Sequence, residues 1–77
     1  MTIAIAQTLD LKGLACPLPI VKTAKALRDL RSGDLVEVFA TDRGSLKDFP
    51  AWSRATGNEI LESGQTGDTF RFVIRKR

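Results

Sequence analysis

The sequence predicts an α+β fold: a two-layer α/β sandwich of order βαβαββ, with a mixed four-stranded sheet and two helices on one face. Three observations carry this. Strand-like segments recur near residues 3–11, 35–40, 58–63 and 69–75. Two helical segments separate the first three of them. A turn, Gly64-Gln65-Thr66-Gly67-Asp68, joins the last two. Helical crossovers favour parallel neighbours, and a tight turn makes the last pair antiparallel. Right-handed crossovers put both helices on the same face. The 77 residues form one domain, 1–77.

The first strand runs from Ile3 through Leu9 to Leu11, and Lys12-Gly13 breaks it. A helix is predicted from Pro17 to Arg31. Its apolar positions Ile20, Ala24, Leu27 and Leu30 recur at steps of four, three and three. Ser32-Gly33-Asp34 turns the chain into a strand from Leu35 to Ala40, where Glu37 is the one charged residue. Thr41-Asp42-Arg43-Gly44 is a loop. The second helical segment lies within 45–56, and Pro50 leaves two solutions. Either residues 45–47 form a turn and Asp48 caps a helix with Pro50 in its first turn, or Ser45 caps one continuous helix with Asp48 completing a capping box. Phe49 and Trp52 on this segment are expected to pack on the sheet. In the last strand Phe70, Phe72 and Ile74 alternate with Arg71, Val73 and Arg75, the pattern of a half-buried strand. The terminal Arg75-Lys76-Arg77 reads as a solvated strand end that guards a sheet edge.

Composition excludes much chemistry. The chain has no His and no Tyr, so it cannot build an imidazole base, a triad or a Cys–His dyad. One Cys without His gives no zinc site of the usual kind, and no cofactor or metal is expected. One Cys also forms no internal disulfide. No basic leader precedes the first apolar residues, and no apolar run reaches the ~20 residues that span a bilayer. The expected home is the reducing cytoplasm. Twelve Lys and Arg against nine Asp and Glu leave a net charge of +3, spread evenly along the chain.

Cys16 is the one reactive position. It sits in Gly13-Leu14-Ala15-Cys16-Pro17-Leu18-Pro19. Proline is best tolerated at the first helical position, which makes Cys16 the N-cap. Pro19 then also falls where helical amides lack partners. The prolines stiffen the turn and leave Leu18 as the only N–H donor among the first three helical residues. The helix N-terminus favours an anion, so a depressed thiol pKa is expected, with Lys22 adding positive potential. A lone Cys is commonly a small buried hydrophobe; a helix mouth argues instead for exposure. One thiolate without a base or a second Cys can still accept a sulfane sulfur as a persulfide and hand it on.

The stretch from Leu9 to Pro19, with its Cys-Pro-x-Pro core after an Asp and a Gly-Leu, resembles the signature of the TusA family of small sulfur carriers. Residues 20–27, Thr41-Asp42-Arg43-Gly44-Ser45-Leu46-Lys47-Asp48-Phe49-Pro50 and Phe72-Val73-Ile74-Arg75-Lys76 extend the likeness to nearly the whole chain. The resemblance implies a sheet order of 1-2-4-3 and a persulfide on Cys16. It implies a donor (a cysteine desulfurase, a rhodanese or another carrier), an acceptor sulfurtransferase and, in some relatives, a membrane transporter for sulfur compounds such as thiosulfate. Implied destinations include thiolated tRNA and molybdenum-cofactor synthesis. Pro17 and Pro19 would shape the turn, and Asp10 and Gly13 would fix the loop before Cys16. Asp42 and Asp48 read as caps of the second helix, and Lys22, Arg43 and Lys47 as a basic rim. Arg43 departs from the Pro that many relatives have after Asp42, and Trp52-Ser53 replaces a region where some carry a second Cys.

Two other functions compete with the carrier. A basic chain with strand aromatics is compatible with RNA binding, yet +3 is a weak electrostatic footprint. Phe70 and Phe72 share one strand face, which suits a core, and no direct nucleic-acid contact is expected. A redox-regulatory adaptor would keep the fold without sulfur transfer. Monomer is the expected state for a transient relay.

Overall fold

The structure is a computed structural model and describes residues 4–77, so the predicted strand start at Ile3 lies outside it. In chain order the elements are β1 (Ile5–Leu11), α1 (Leu18–Arg28), β2 (Leu35–Ala40), α2 (Ser45–Thr56), β3 (Glu59–Thr66) and β4 (Thr69–Arg75). The sheet order is β1-β2-β4-β3. β1 runs parallel to β2, and β4 is antiparallel to both of its neighbours. This is the predicted α+β sandwich.

Strand alternation decides which face is the core. Val36, Val38 and Ala40 of β2 lie opposite Ile74, Phe72 and Phe70 of β4, and all six are buried. Leu11 of β1, Leu27 of α1 and Phe49 of α2 close the cluster from the edges and from the helical layer. Phe49 is fully buried and stacks on Phe72 with ring centroids 4.6 Å apart. Trp52 meets the edge of Phe49 at 6.0 Å and 83°. Phe49 thus packs on the sheet as expected, and Trp52 packs partly buried against the same core cluster. Among the described residues, no helix is long and apolar enough to cross a membrane.

Several local expectations change. α1 begins at Leu18, one residue later than predicted, and stops at Arg28 instead of Arg31. Its deepest row is Pro19, Thr23 and Leu27, whereas Ala24 is only half-buried. Thr23 is admitted because its hydroxyl donates to the Pro19 carbonyl at 2.8 Å, which pairs that buried polar atom. α2 is continuous through Pro50, and its N-cap is Gly44, with no side-chain cap from Ser45 or Asp48. An interior proline costs about 3 kcal/mol. Burial of the neighbouring Phe49 offsets much of that. β3 extends to Thr66, so the hairpin turn contracts to Gly67-Asp68 between the paired Thr66 and Thr69.

The basic tail is not an edge guard, because β4 lies between β2 and β3. Lys76 donates its backbone N–H to Asp34 O at 2.8 Å and accepts from Gly33 N–H at 2.8 Å, and its ammonium donates to the Leu30 carbonyl. Arg75 pairs with Glu59, and the Arg77 amide donates to Asn58 Oδ1. The tail therefore ties β4 to the end of α1 and to the start of β3.

The sheet face away from the helices carries cross-linked charges around Val73, which is fully buried between Glu37 and Glu62. Arg71 donates to Glu37 at 2.7 Å and to Glu62 at 3.1 Å, and the Thr8 hydroxyl donates to Glu37 at 3.1 Å. The Arg71 bond holds the Glu37 carboxyl below the usual carboxylate range, with the Thr8 bond acting in the same direction.

Two predictions follow from this packing. Phe49→Ala should cost about 3–5 kcal/mol, a large share of the ~4–12 kcal/mol that a domain of this size possesses. A urea midpoint unchanged from wild type would contradict the Phe49–Phe72 stack. Because its folded pKa is depressed, Glu37 contributes stability above its unfolded pKa, and this is lost as pH falls through the folded value. Urea titrations across the acid range should show the wild type losing about 0.5 kcal/mol more than Glu37→Gln; parallel profiles would exclude this coupling.

Candidate functional site

β1 and β2 are parallel, with Leu11 opposite Ala40 in the last paired register. The loops that leave them therefore emerge side by side at one end of the sheet. In the first loop Leu14 N–H bonds to Leu11 O at 3.2 Å, closing a turn. Gly13 takes φ +86° in that turn, a conformation that residues with a Cβ resist. Its N–H donates to the Thr41 hydroxyl of the second loop at 2.9 Å. Asp10 accepts the Lys12 N–H at 3.2 Å. Asp10 and Gly13 thus shape the chain before Cys16, while Thr41 clasps the two loops together.

Cys16 is exposed and is a free thiol. The sequence predicts it as the N-cap of α1, but it lies one residue before that position. Pro17 holds that position, and the Cys16–Pro17 peptide is cis. Pro19 is fully buried at the second helical position. The Leu18 N–H donates to the Ala15 carbonyl at 2.9 Å. The one amide expected to stabilise a thiolate is therefore already used.

The sulfur's partner is a carboxylate instead. Cys16 Sγ donates to Asp48 Oδ2 at 2.8 Å, across 32 residues of sequence. Asp48 sits in the first turn of α2, next to the fully buried Phe49, so the docking of that aromatic fixes where the carboxylate stands. Asp42 lies in the adjoining loop, with one buried carboxylate oxygen that has no hydrogen-bond partner. The Asp48 hydrogen bond pushes the Cys16 thiol above its ordinary range; partial desolvation and the negative charges of Asp48 and Asp42 act in the same direction. The expectation of a depressed pKa is overturned. The N-terminal dipole of α1 still favours an anion, but its one amide is used and the Asp48 carboxylate outweighs it.

The remaining candidates are spread more widely. Asp42 and Asp48 do not cap α2 through their side chains. Lys22, Arg43 and Lys47 are exposed, and among the described residues they join no ion pair. Arg43 lines a polar cleft of about 520 Å³ with Thr41, Gln65, Asp68 and Phe70, which Cys16 does not line. The charges that act on the thiol are those of Asp48 and Asp42. Gly44 is a site residue with no role predicted from sequence. A Cβ there would lie 2.8 Å from Asp42 Oδ2 and 3.5 Å from both Asp48 Oδ2 and Cys16 Cβ. Its φ of −59° suits any residue, so its smallness serves close approach rather than backbone freedom.

The fold and site define a class: a small α+β sandwich with one exposed thiol at a helix mouth. Known proteins give the same class a family. The sequence model described as Sulfurtransferase TusA matches residues 7–76, and the chain belongs to the TusA family of sulfur carriers. It is 50% identical over 70 residues to the sulfur carrier protein TusA of Allochromatium vinosum, covering 91% of this chain and 92% of that one. It is also 50% identical over 70 residues to YrkI of Bacillus subtilis (strain 168), likewise named for a sulfur-carrier role, covering 91% and 93%. The crystal structure of a SirA-like protein from Desulfitobacterium hafniense shares the fold, with a TM-score of 0.78 at 24% identity over 90% of this chain and 95% of that one. A sulfur carrier exchanges with a donor and an acceptor protein.

The geometry predicts how the free thiol behaves. Alkylation by a neutral reagent such as iodoacetamide should titrate with a midpoint above the ~8.5 of free Cys. At neutral pH it should be slower than for an unstructured Cys peptide. A midpoint below the free value would contradict the Asp48 bond.

Proposed function

We propose that the chain carries sulfane sulfur as a persulfide on Cys16, taken from a donor protein and passed to an acceptor. The observation that carries this reading is the exposed Cys16, the only cysteine of a chain in the sulfur-carrier family. The chemistry needs a nucleophilic sulfur and access to it. It needs no second cysteine, because donor and carrier merely exchange a persulfide for a thiol. Pro17 and Pro19 set the turn, and Asp10 and Gly13 support it. The donor is a cysteine desulfurase or a rhodanese, and the acceptor another sulfurtransferase. A membrane transporter of sulfur compounds is a further kind of partner. The reducing cytoplasm suits a lone exposed thiol, and a monomer leaves the Cys16 mouth open to both partners.

The structure does not favour the RNA-binding alternative. Phe70 and Phe72 are buried beneath the helices and offer no stacking platform. Much of the basic tail is engaged in internal bonds.

Intact-mass measurement tests the carrier. Wild type and Cys16→Ser are incubated with a cysteine desulfurase plus cysteine, and separately with a rhodanese plus thiosulfate. The expected result is a gain of one sulfur on wild type alone, reversed by a thiol reductant. A folded wild type that gains none from either donor, or an equal gain on Cys16→Ser, would overturn the proposal.

A further inference from the structure

We infer that Asp48 is a positioning residue of the sulfur relay: its carboxylate holds the unloaded Cys16 as a hydrogen-bonded thiol and disfavours the loaded persulfide, so the carrier gives its sulfur up more readily than a free cysteine does. The inference rests on the reading of Cys16 as the persulfide carrier. Its ground is the 2.8 Å contact between Cys16 Sγ and Asp48 Oδ2. The contact exists only while Sγ carries a proton.

The exchange shows why loading breaks this contact. A donor persulfide, R–S–S–H, meets Cys16–S–H. Cys16 Sγ bonds to the outer sulfur, and the donor's S–S bond breaks. Its electron pair leaves with the donor sulfur, which ends with the proton that Sγ gave up. The products are Cys16–S–S–H and R–S–H. One S–S bond is lost and one gained, so no oxidant or reductant is consumed. Loaded Sγ is bonded to Cβ and to sulfur, and it has no proton to give.

Asp48 Oδ2 then faces sulfur lone pairs where it had faced a donor. An ionised outer sulfur adds a like charge to those of Asp48, from α2, and Asp42, from the β2–α2 loop. These two are the charged groups that act on Cys16. Asp48 has little freedom to withdraw, because Phe49 beside it is locked in the core. The loaded state loses a charge-assisted bond that the unloaded state keeps. By linkage the same residue opposes loading and favours unloading to the same extent.

The test uses the full chain as wild type, Asp48→Asn, Asp48→Ala and Asp48→Glu, with folding checked by circular dichroism. Each is brought to equilibrium with glutathione persulfide and glutathione at a fixed ratio and neutral pH. Intact mass reads the ratio of loaded to unloaded carrier. Asp48→Asn and Asp48→Ala should raise that ratio about two- to fivefold, the scale of exposed charge couplings. Asp48→Glu should return it toward wild type. The midpoint of Cys16 alkylation against pH should fall in the Asn and Ala variants, a change that a merely structural role would not produce. A wild type that loads, with folded Asn and Ala variants loading to the same ratio, would overturn the inference alone. A wild type that takes no sulfur from the probe would overturn the persulfide reading, and the inference with it.

Discussion

The parallel pairing of β1 with β2 decides where this molecule can do chemistry. Two parallel strands end at the same side of a sheet, and here they end with Leu11 beside Ala40. Each then feeds a loop and a helix, so the mouths of α1 and α2 open next to one another. Open α/β sheets use the same end, beyond the carboxyl ends of the strands, for binding. In this chain the neighbourhood is secured by one hydrogen bond between loops, from Gly13 N–H to Thr41 Oγ1. A residue at position 16 and another at position 48 meet for that reason. An antiparallel β1 would have sent α1 to the other end and left the thiol without its carboxylate.

Two electrostatic tendencies oppose each other at that meeting point. The N-terminus of α1 favours a negative sulfur, and the N-terminus of α2 favours the negative Asp48 in its first turn. Both anions in contact would repel, so one keeps a proton. The outcome follows from intrinsic acidity. A carboxyl group is intrinsically far more acidic than a thiol, and Cys16 keeps the hydrogen between them as the donor. The α1 amide that could have tipped the contest is committed to Ala15. The Cys16 thiol is therefore held above its ordinary range.

The fold was largely legible because its signals are local. Strand alternation in Phe70, Phe72 and Ile74 survives as the core face of β4, and the Phe49–Trp52 spacing survives as the docked face of α2. Misreadings arose where a tertiary contact overrode a local rule. Thr23 looks polar until its hydroxyl finds the Pro19 carbonyl. Pro50 leaves two helices possible in the sequence, and the buried Phe49 beside it goes with the continuous one. The site was legible only in its nucleophile. Cys16 announces itself by its prolines, but its protonation is set by Asp48 from 32 residues away. No periodicity or capping rule encodes that contact. The loop block containing Thr41 and Gly44 was visible as a resemblance, yet their roles as clasp and as close-approach residue depend on a register that only the folded sheet supplies.

Net charge shows the same limit in another form. Counted along the sequence, the chain is basic, and its most basic run is the C-terminus. Placed in space, that run is largely structural: Lys76 stitches β4 to the α1–β2 turn through three hydrogen bonds, and Arg75 faces Glu59. Arg71 is likewise spent between Glu37 and Glu62 on the open sheet face. The carboxylates of Asp42 and Asp48 form no ion pair among the described residues, and both act on the Cys16 thiol. A protein positive overall thus presents a locally negative field at its reactive atom. The sum of charges predicts how such a chain behaves toward polyanions at long range. It does not predict the protonation of a group whose nearest charged neighbour is a single hydrogen bond away.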